Sequence, residues 1–174
     1  MLQNAVHRFS FACAVALLAA AGCSGDPVGR ICDLGQKPGV AETVVASPSL
    51  DCVSRTCLQI ALEKTQKELD MIGSRYPGVD SKGAATGLGL CTDSCTQDSD
   101  CERVPESPCV TGFTCGIPAR VGAFCCEKFC ICKDYIVIPD TGLKPPNECN
   151  ADDASNGCCN LPGRRGNAQY PLCK

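Results

Sequence analysis

Eighteen cysteines stand in this chain of 174 residues, and they are the side chains with the most chemistry to offer. As thiolates they could bind zinc or carry out redox exchange; oxidised in pairs they only cross-link. Spacing separates these uses. A zinc knuckle or a thioredoxin-like redox centre calls for C-x-x-C, and no such pair occurs. The densest group runs Cys125-Cys126-x₃-Cys130-x-Cys132. The one histidine, His7, lies in the apolar N-terminal stretch. Beyond that stretch there is no His-metal site, no Ser-His-Asp or Cys-His triad and no histidine pH switch. No G-x-S-x-G or S-x-x-K is present, so the sequence nominates no catalytic residue and no cofactor. Cysteine at about one residue in ten is the composition of a disulfide scaffold.

The leader decides the redox compartment. Arg8 supplies a positive n-region, and Phe9 to Ala21 form an apolar run of thirteen residues. That run is short of the ~20 residues of a membrane-spanning helix and suits a secretory signal. It ends in Ala20-Ala21-Gly22-Cys23, which resembles a bacterial lipobox. The resemblance implies removal of residues 1–22 and acylation of Cys23 as the new N-terminus. Ser24 stands where an Asp would signal retention at the inner membrane, so the expected location is the outer membrane. Cysteine parity agrees. With Cys13 lost in the leader and Cys23 acylated, sixteen remain, enough for eight disulfides. These are Cys32, Cys52, Cys57, Cys91, Cys95, Cys101, Cys109, Cys115, Cys125, Cys126, Cys130, Cys132, Cys149, Cys158, Cys159 and Cys173, with pairing open.

The elements that must position these sulfurs follow from glycine, proline and apolar periodicity. Residues 23–50 read as a lipid-anchored Gly/Pro-rich tether pinned once, at Cys32, ahead of a disulfide-rich domain over 51–174. Thr56 and Gln59 form a capping-box pattern, and Leu58, Leu62, Leu69 and Ile72 share a helical face, with Glu63 and Lys67 at i,i+4. These predict a helix over 57–73 that ends at Gly73. A Gly-rich connection over 73–90 leads to a cysteine-dense core over 91–132, then a C-terminal lobe over 133–174. Val110–Cys115, Val121–Cys126 and Tyr135–Ile138 read as short strands, the first two as an irregular hairpin. The segment before residue 58 holds three of the sixteen cysteines, so at least one bridge must leave it. The fold class is a small disulfide-rich domain with one α-helix, a few short β-strands and mostly loops.

The run Cys95-Thr-Gln-Asp-Ser-Asp-Cys101, with Cys125-Cys126-Glu-Lys-Phe-Cys130, resembles the second half of the whey-acidic-protein four-disulfide module. That likeness implies protease inhibition through an exposed loop; the stretch between Cys101 and Cys125 is longer here and holds Cys109 and Cys115 in addition. Over most of the mature chain, Asp51-Cys-Val-Ser-Arg-Thr-Cys-Leu58 and Gly112-Phe-Thr-Cys115 with Phe124-Cys-Cys-Glu-Lys-Phe-Cys-Ile-Cys132 resemble cysteine-rich lipoproteins of the myxobacterial type. That second likeness implies no activity.

Smaller features complete the reading. Asn150–Gly157 resembles a calcium loop but lacks its terminal Glu and reads as a polar turn. Arg164-Arg165 between glycines reads as a solvated loop with an exposed basic tip, and Asp93, Asp98 and Asp100 as turn residues or an acidic patch. A net charge of −3 gives no footprint for nucleic acid. The expected function is that of a non-enzymatic envelope or surface module, held to the membrane by lipid and offering loops to a protein or glycan partner. Protease inhibition is the alternative, and thiol-redox or cysteine-metal chemistry a third possibility.

Overall fold

A computed structural model describes residues 26–150, 157–166 and 173; the leader, Cys13 and Cys23 lie outside the described residues. Among the described residues, short antiparallel strands, one α-helix and long loops are bound by disulfides, the expected class. Four strands form one sheet: β1 (Ile31–Asp33), β2 (Val44–Ala46), β3 (Thr56–Gln59) and β4 (Leu88–Thr92), in the order β1-β4-β3-β2. A separate hairpin pairs β5 (Phe113–Gly116) with β6 (Phe129–Cys132). The helix α1 covers Gln66–Ile72. No helix among the described residues is long and apolar enough to cross a membrane.

The helix predicted over 57–73 is therefore cut to its last part. Thr56-x-x-Gln59 is a strand, and the capping box that operates is Thr65 with Glu68: the Thr65 N–H donates to Glu68 Oε2 at 2.7 Å, and Glu68 N–H donates back to Thr65 Oγ1. The Thr65 N–H and the Thr65 hydroxyl, both donating to Oε2, hold the Glu68 carboxyl below its ordinary pKa. Gly73, in the left-handed region at φ 69°, ends the helix as expected. Of the predicted apolar face only Leu69 is fully buried on α1, while Leu58 packs from β3 against Phe129, Ile131 and Ile136. A strand wins over 56–59 because alternation serves two demands at once. Leu58 faces that core, and Cys57 on the other face reaches Cys32. Glu63 turns away from a helical partner and accepts the Val137 N–H at 2.6 Å.

Two further corrections concern residues 26–50 and the core. The expected tether supplies β1 and β2, and Val28 is buried and bridges Arg103. Gly29 and Arg30 both face Cys91: Gly29 N–H donates to the Cys91 carbonyl, and Cys91 N–H donates to the Arg30 carbonyl. This is a bulge of the kind that takes glycine at its first position, and Gly29 has φ 99°. A Cβ there would lie 2.4 Å from Ser107 Oγ and 2.9 Å from Phe113 Cζ, so glycine is required sterically as well. In the core, the expected strand at Val110–Cys115 shifts to β5. Val121–Cys126 and Tyr135–Ile138 are turns and irregular chain, and the partner of β5 is β6. The connection 73–90 is more ordered than a flexible linker: it buries Tyr76 and Pro77, bridges Val79 to Ala85 and enters β4 at Leu88.

With few aromatics, the largest cluster is assembled around two tyrosines. Tyr76 and Tyr135 meet edge to face at 5.1 Å among Val28, Leu69, Leu90 and Phe113. Each hydroxyl donates to a backbone carbonyl, Tyr76 to Ile60 and Tyr135 to Arg75, both at 2.8 Å. Burial pushes the Tyr76 hydroxyl up to about 12 and raises Tyr135 further, helped by the adjacent Asp134. The unfolded chain binds fewer protons above pH 10, so these two groups favour the fold below pH 10 and lose that contribution as pH rises through 12. In a spectrophotometric titration, which no tryptophan obscures, Tyr76→Phe removes a phenolate transition that coincides with unfolding. A Tyr76 transition near pH 10 in the folded protein would contradict this packing.

Candidate functional site

Sixteen cysteines form eight disulfides: Cys32–Cys57, Cys52–Cys91, Cys95–Cys115, Cys101–Cys130, Cys109–Cys132, Cys125–Cys158, Cys126–Cys149 and Cys159–Cys173. Cys52–Cys91 is the bridge that parity requires to leave the N-terminal segment. Three clusters bring sulfurs and carboxylates as close as metal ligands: Cys32, Cys52 and Cys91; Cys95, Cys101 and Cys130; and Cys109, Cys132 and Asp134. In each, the sulfurs belong to disulfides, which offer a metal no thiolate.

The acidic residues of the C-x₅-C stretch serve the loop itself. Asp100 accepts from the Thr96 hydroxyl and from the N–H groups of Thr96 and Gln97, which bring its carboxyl down to about 2. Burial works to raise Asp98, but the Cys115 N–H, the Thr114 hydroxyl and Lys133, 3.7 Å away, together lower it. Asp93 caps the N–H of Ser94. What reads in sequence as an acidic patch is largely a set of turn-forming acceptors.

Arg164 overturns the expectation of an exposed basic tip. It is buried, and its guanidinium donates to the carbonyls of Cys125 (2.5 Å) and Ala123, clamping the C-terminal lobe to the Cys125-Cys126 turn. Burial raises the nearby Glu127 carboxyl, and the charge of Arg164 offsets part of that rise. Arg165 is exposed and donates to Asn160 Oδ1 at 2.6 Å. Residues 151–156 of the calcium-like loop lie outside the described residues.

Two exposed features among the described residues bear on binding, a groove and a loop. A groove of about 1030 Å³ runs between α1 and the 73–88 segment; Leu62, Pro77 and Val79 line it along with the exposed Gln66, Asp70 and Asp80. The loop spans 47–55 between β2 and β3. It is closed by the Ser49 N–H donating to the Arg55 carbonyl and by the Arg55 N–H donating to that of Cys52. Cys52 ties it to Cys91, Asp51 accepts the Asp33 N–H, and the Ser54 hydroxyl donates to the Thr92 carbonyl. On this fixed frame Leu50 is 83% exposed and Val53 71%. No protein-family model, curated protein or solved structure matches the chain.

Two important features carry little or no sequence signal. Asp134 is wholly buried beside Cys109–Cys132, where it accepts from the N–H of Val110 (2.5 Å) and Thr111 (3.2 Å) and from the Thr111 hydroxyl. Nothing local sets it apart from the other carboxylates, because its donors lie 23 and 24 residues away. Leu50 and Val53 could have been noticed as apolar residues flanking a cysteine beside a Ser-Pro-Ser turn. For Asp134 the consequence is measurable. Asp134→Ala leaves the part-buried N–H groups of Val110 and Thr111 without their acceptor and lowers stability by about 1–3 kcal/mol. Asp134→Asn, which keeps one acceptor oxygen, loses less. Denaturant unfolding with disulfides intact measures both; equal stability of Asp134→Ala and wild type would contradict the assigned role.

Proposed function

We propose that this protein is a lipid-anchored envelope module that works by binding rather than catalysis, its disulfides holding a binding surface rigid outside the cytoplasm. The observation that carries this reading is the engagement of all sixteen predicted cysteines in disulfides, the state expected of a chain exported past a reducing cytosol. Acylation of Cys23 accounts for the one mature cysteine this set leaves over. The groove beside α1 combines an apolar lining with an amide and two carboxylates at exposed positions, a mixture suited to a protein or glycan partner. Ser24 after the acylated cysteine directs the protein to the outer membrane.

The anchor and the scaffold separate experimentally. Cys23→Ala releases a soluble protein with all eight disulfides intact, and Ser24→Asp moves the acylated protein to the inner-membrane fraction. Retention of Cys23→Ala in membranes after a high-salt wash would refute the anchor. A photo-crosslinking residue at Asp70 in native envelopes gives one discrete adduct, while the same residue at Asp140 gives none; no adduct at Asp70 would exclude the groove as the binding surface.

A further inference from the structure

The loop 47–55 lies close in covalent terms to the point where the chain leaves toward Cys23. Val28 is locked to the body: its N–H donates to the Glu102 carbonyl, and its own carbonyl accepts from Val104. From Val28 back to Cys23 the chain reaches at most about 18 Å at full extension. A domain of this size has a radius of gyration of roughly 15 Å. An acyl anchor on Cys23 therefore holds the neighbourhood of Val28 within about one domain radius of the bilayer.

The same neighbourhood carries the most exposed apolar loop on the described surface. The Arg30 carbonyl accepts from the Cys91 N–H, and Cys91 is bonded to Cys52 with 5.3 Å between their Cα atoms. Leu50 and Val53 sit two residues before and one residue after Cys52, putting Leu50 within roughly 18 Å of Arg30 by chain and bridge lengths. Exposed Arg55 follows on the same closed loop, and exposed Arg30, 3.8 Å from Glu106 Oε1, lies in the exit segment. Two large apolar side chains on a rigid loop, with the Arg55 guanidinium on the same loop to meet lipid phosphates, have the composition of an interfacial membrane contact.

We infer that Leu50 and Val53 insert into the lipid surface to which Cys23 is anchored, as a second contact that fixes the orientation of the domain on the membrane. This rests on acylation of Cys23. A lipid anchor at the N-terminus holds only one point of the chain, whereas an added apolar contact makes a one-point leash into a defined pose. Restricting rotation in this way would settle which faces of the domain partners can reach.

The absence of tryptophan makes the test direct. Leu50→Trp and Val53→Trp, with Val121→Trp (82% exposed in wild type) as the comparison, are made in the full chain, acylated, and reconstituted in vesicles with brominated acyl chains. Emission from the Leu50→Trp and Val53→Trp proteins shifts to the blue and is mostly lost to bromine, while that of Val121→Trp stays red and unquenched. Acylated Leu50→Trp and Val53→Trp proteins that stay unquenched would overturn the membrane contact and leave the anchor standing, pointing to a protein partner for the loop. Equal quenching in all three variants would also overturn it. An intact mass without acyl chains at Cys23 would overturn the anchor and the contact together. Should Leu50→Trp fold poorly, Val53→Trp carries the same comparison.

Discussion

Cys91 is the residue through which the N-terminal half is assembled. Its sulfur holds Cys52 and thereby the 47–55 loop; its N–H and carbonyl hold Arg30 and Gly29, and so the entering chain. Within the sheet it stands opposite Cys57, which is bonded to Cys32 on β1. Strands of three to five residues pair too briefly to persist alone. Cys32–Cys57 ties β1 to β3 across β4, and Cys52–Cys91 ties β4 to the loop ahead of β3, which makes that small sheet durable; β4 fits between its neighbours only with Gly89. A Cβ at Gly89 would lie 2.6 Å from the Leu58 carbonyl oxygen.

The rest of the molecule repeats this arrangement at a larger scale. Separate small clusters replace one large core: one around the tyrosine pair, one around Leu58 and Phe129, and others built mostly of cystine. Each bridge contributes ~2–4 kcal/mol by restricting the unfolded chain, a stabilisation that does not depend on burying large apolar area. Polar groups then do the local fixing. Asp134 and Arg164, both buried, satisfy backbone groups of the turns beside the cystines. The result is a body in which long loops keep definite shapes. That is the physical basis for reading it as a binding module.

Much of this was legible from cysteine number and parity, because sulfur pairing is a counting constraint independent of local conformation. Secondary structure was less legible. Thr56-x-x-Gln59 and Thr65-x-x-Glu68 present equivalent capping patterns, and the choice between them depended on where Cys57 had to reach. The 26–50 segment looked like a tether because Gly35, Pro38 and Gly39 interrupt its periodicity, yet Cys32, Val28 and the pairing of β1 and β2 dock it. Arg164 between two glycines looked solvated, although its acceptors, some 40 residues earlier, bury it. In each case the deciding partner was distant in sequence, the information that local pattern does not contain.

The measurement closest to the central claim is the intact mass of the native, membrane-extracted protein, alkylated before any reduction and then mapped by non-reduced proteolysis. The account predicts a chain that begins at acylated Cys23, takes up no alkyl groups, and yields Cys52–Cys91 and Cys101–Cys130 as linked peptides. Alkylated cysteines in the folded protein, a bound metal, or Cys91 joined to a partner other than Cys52 would contradict it.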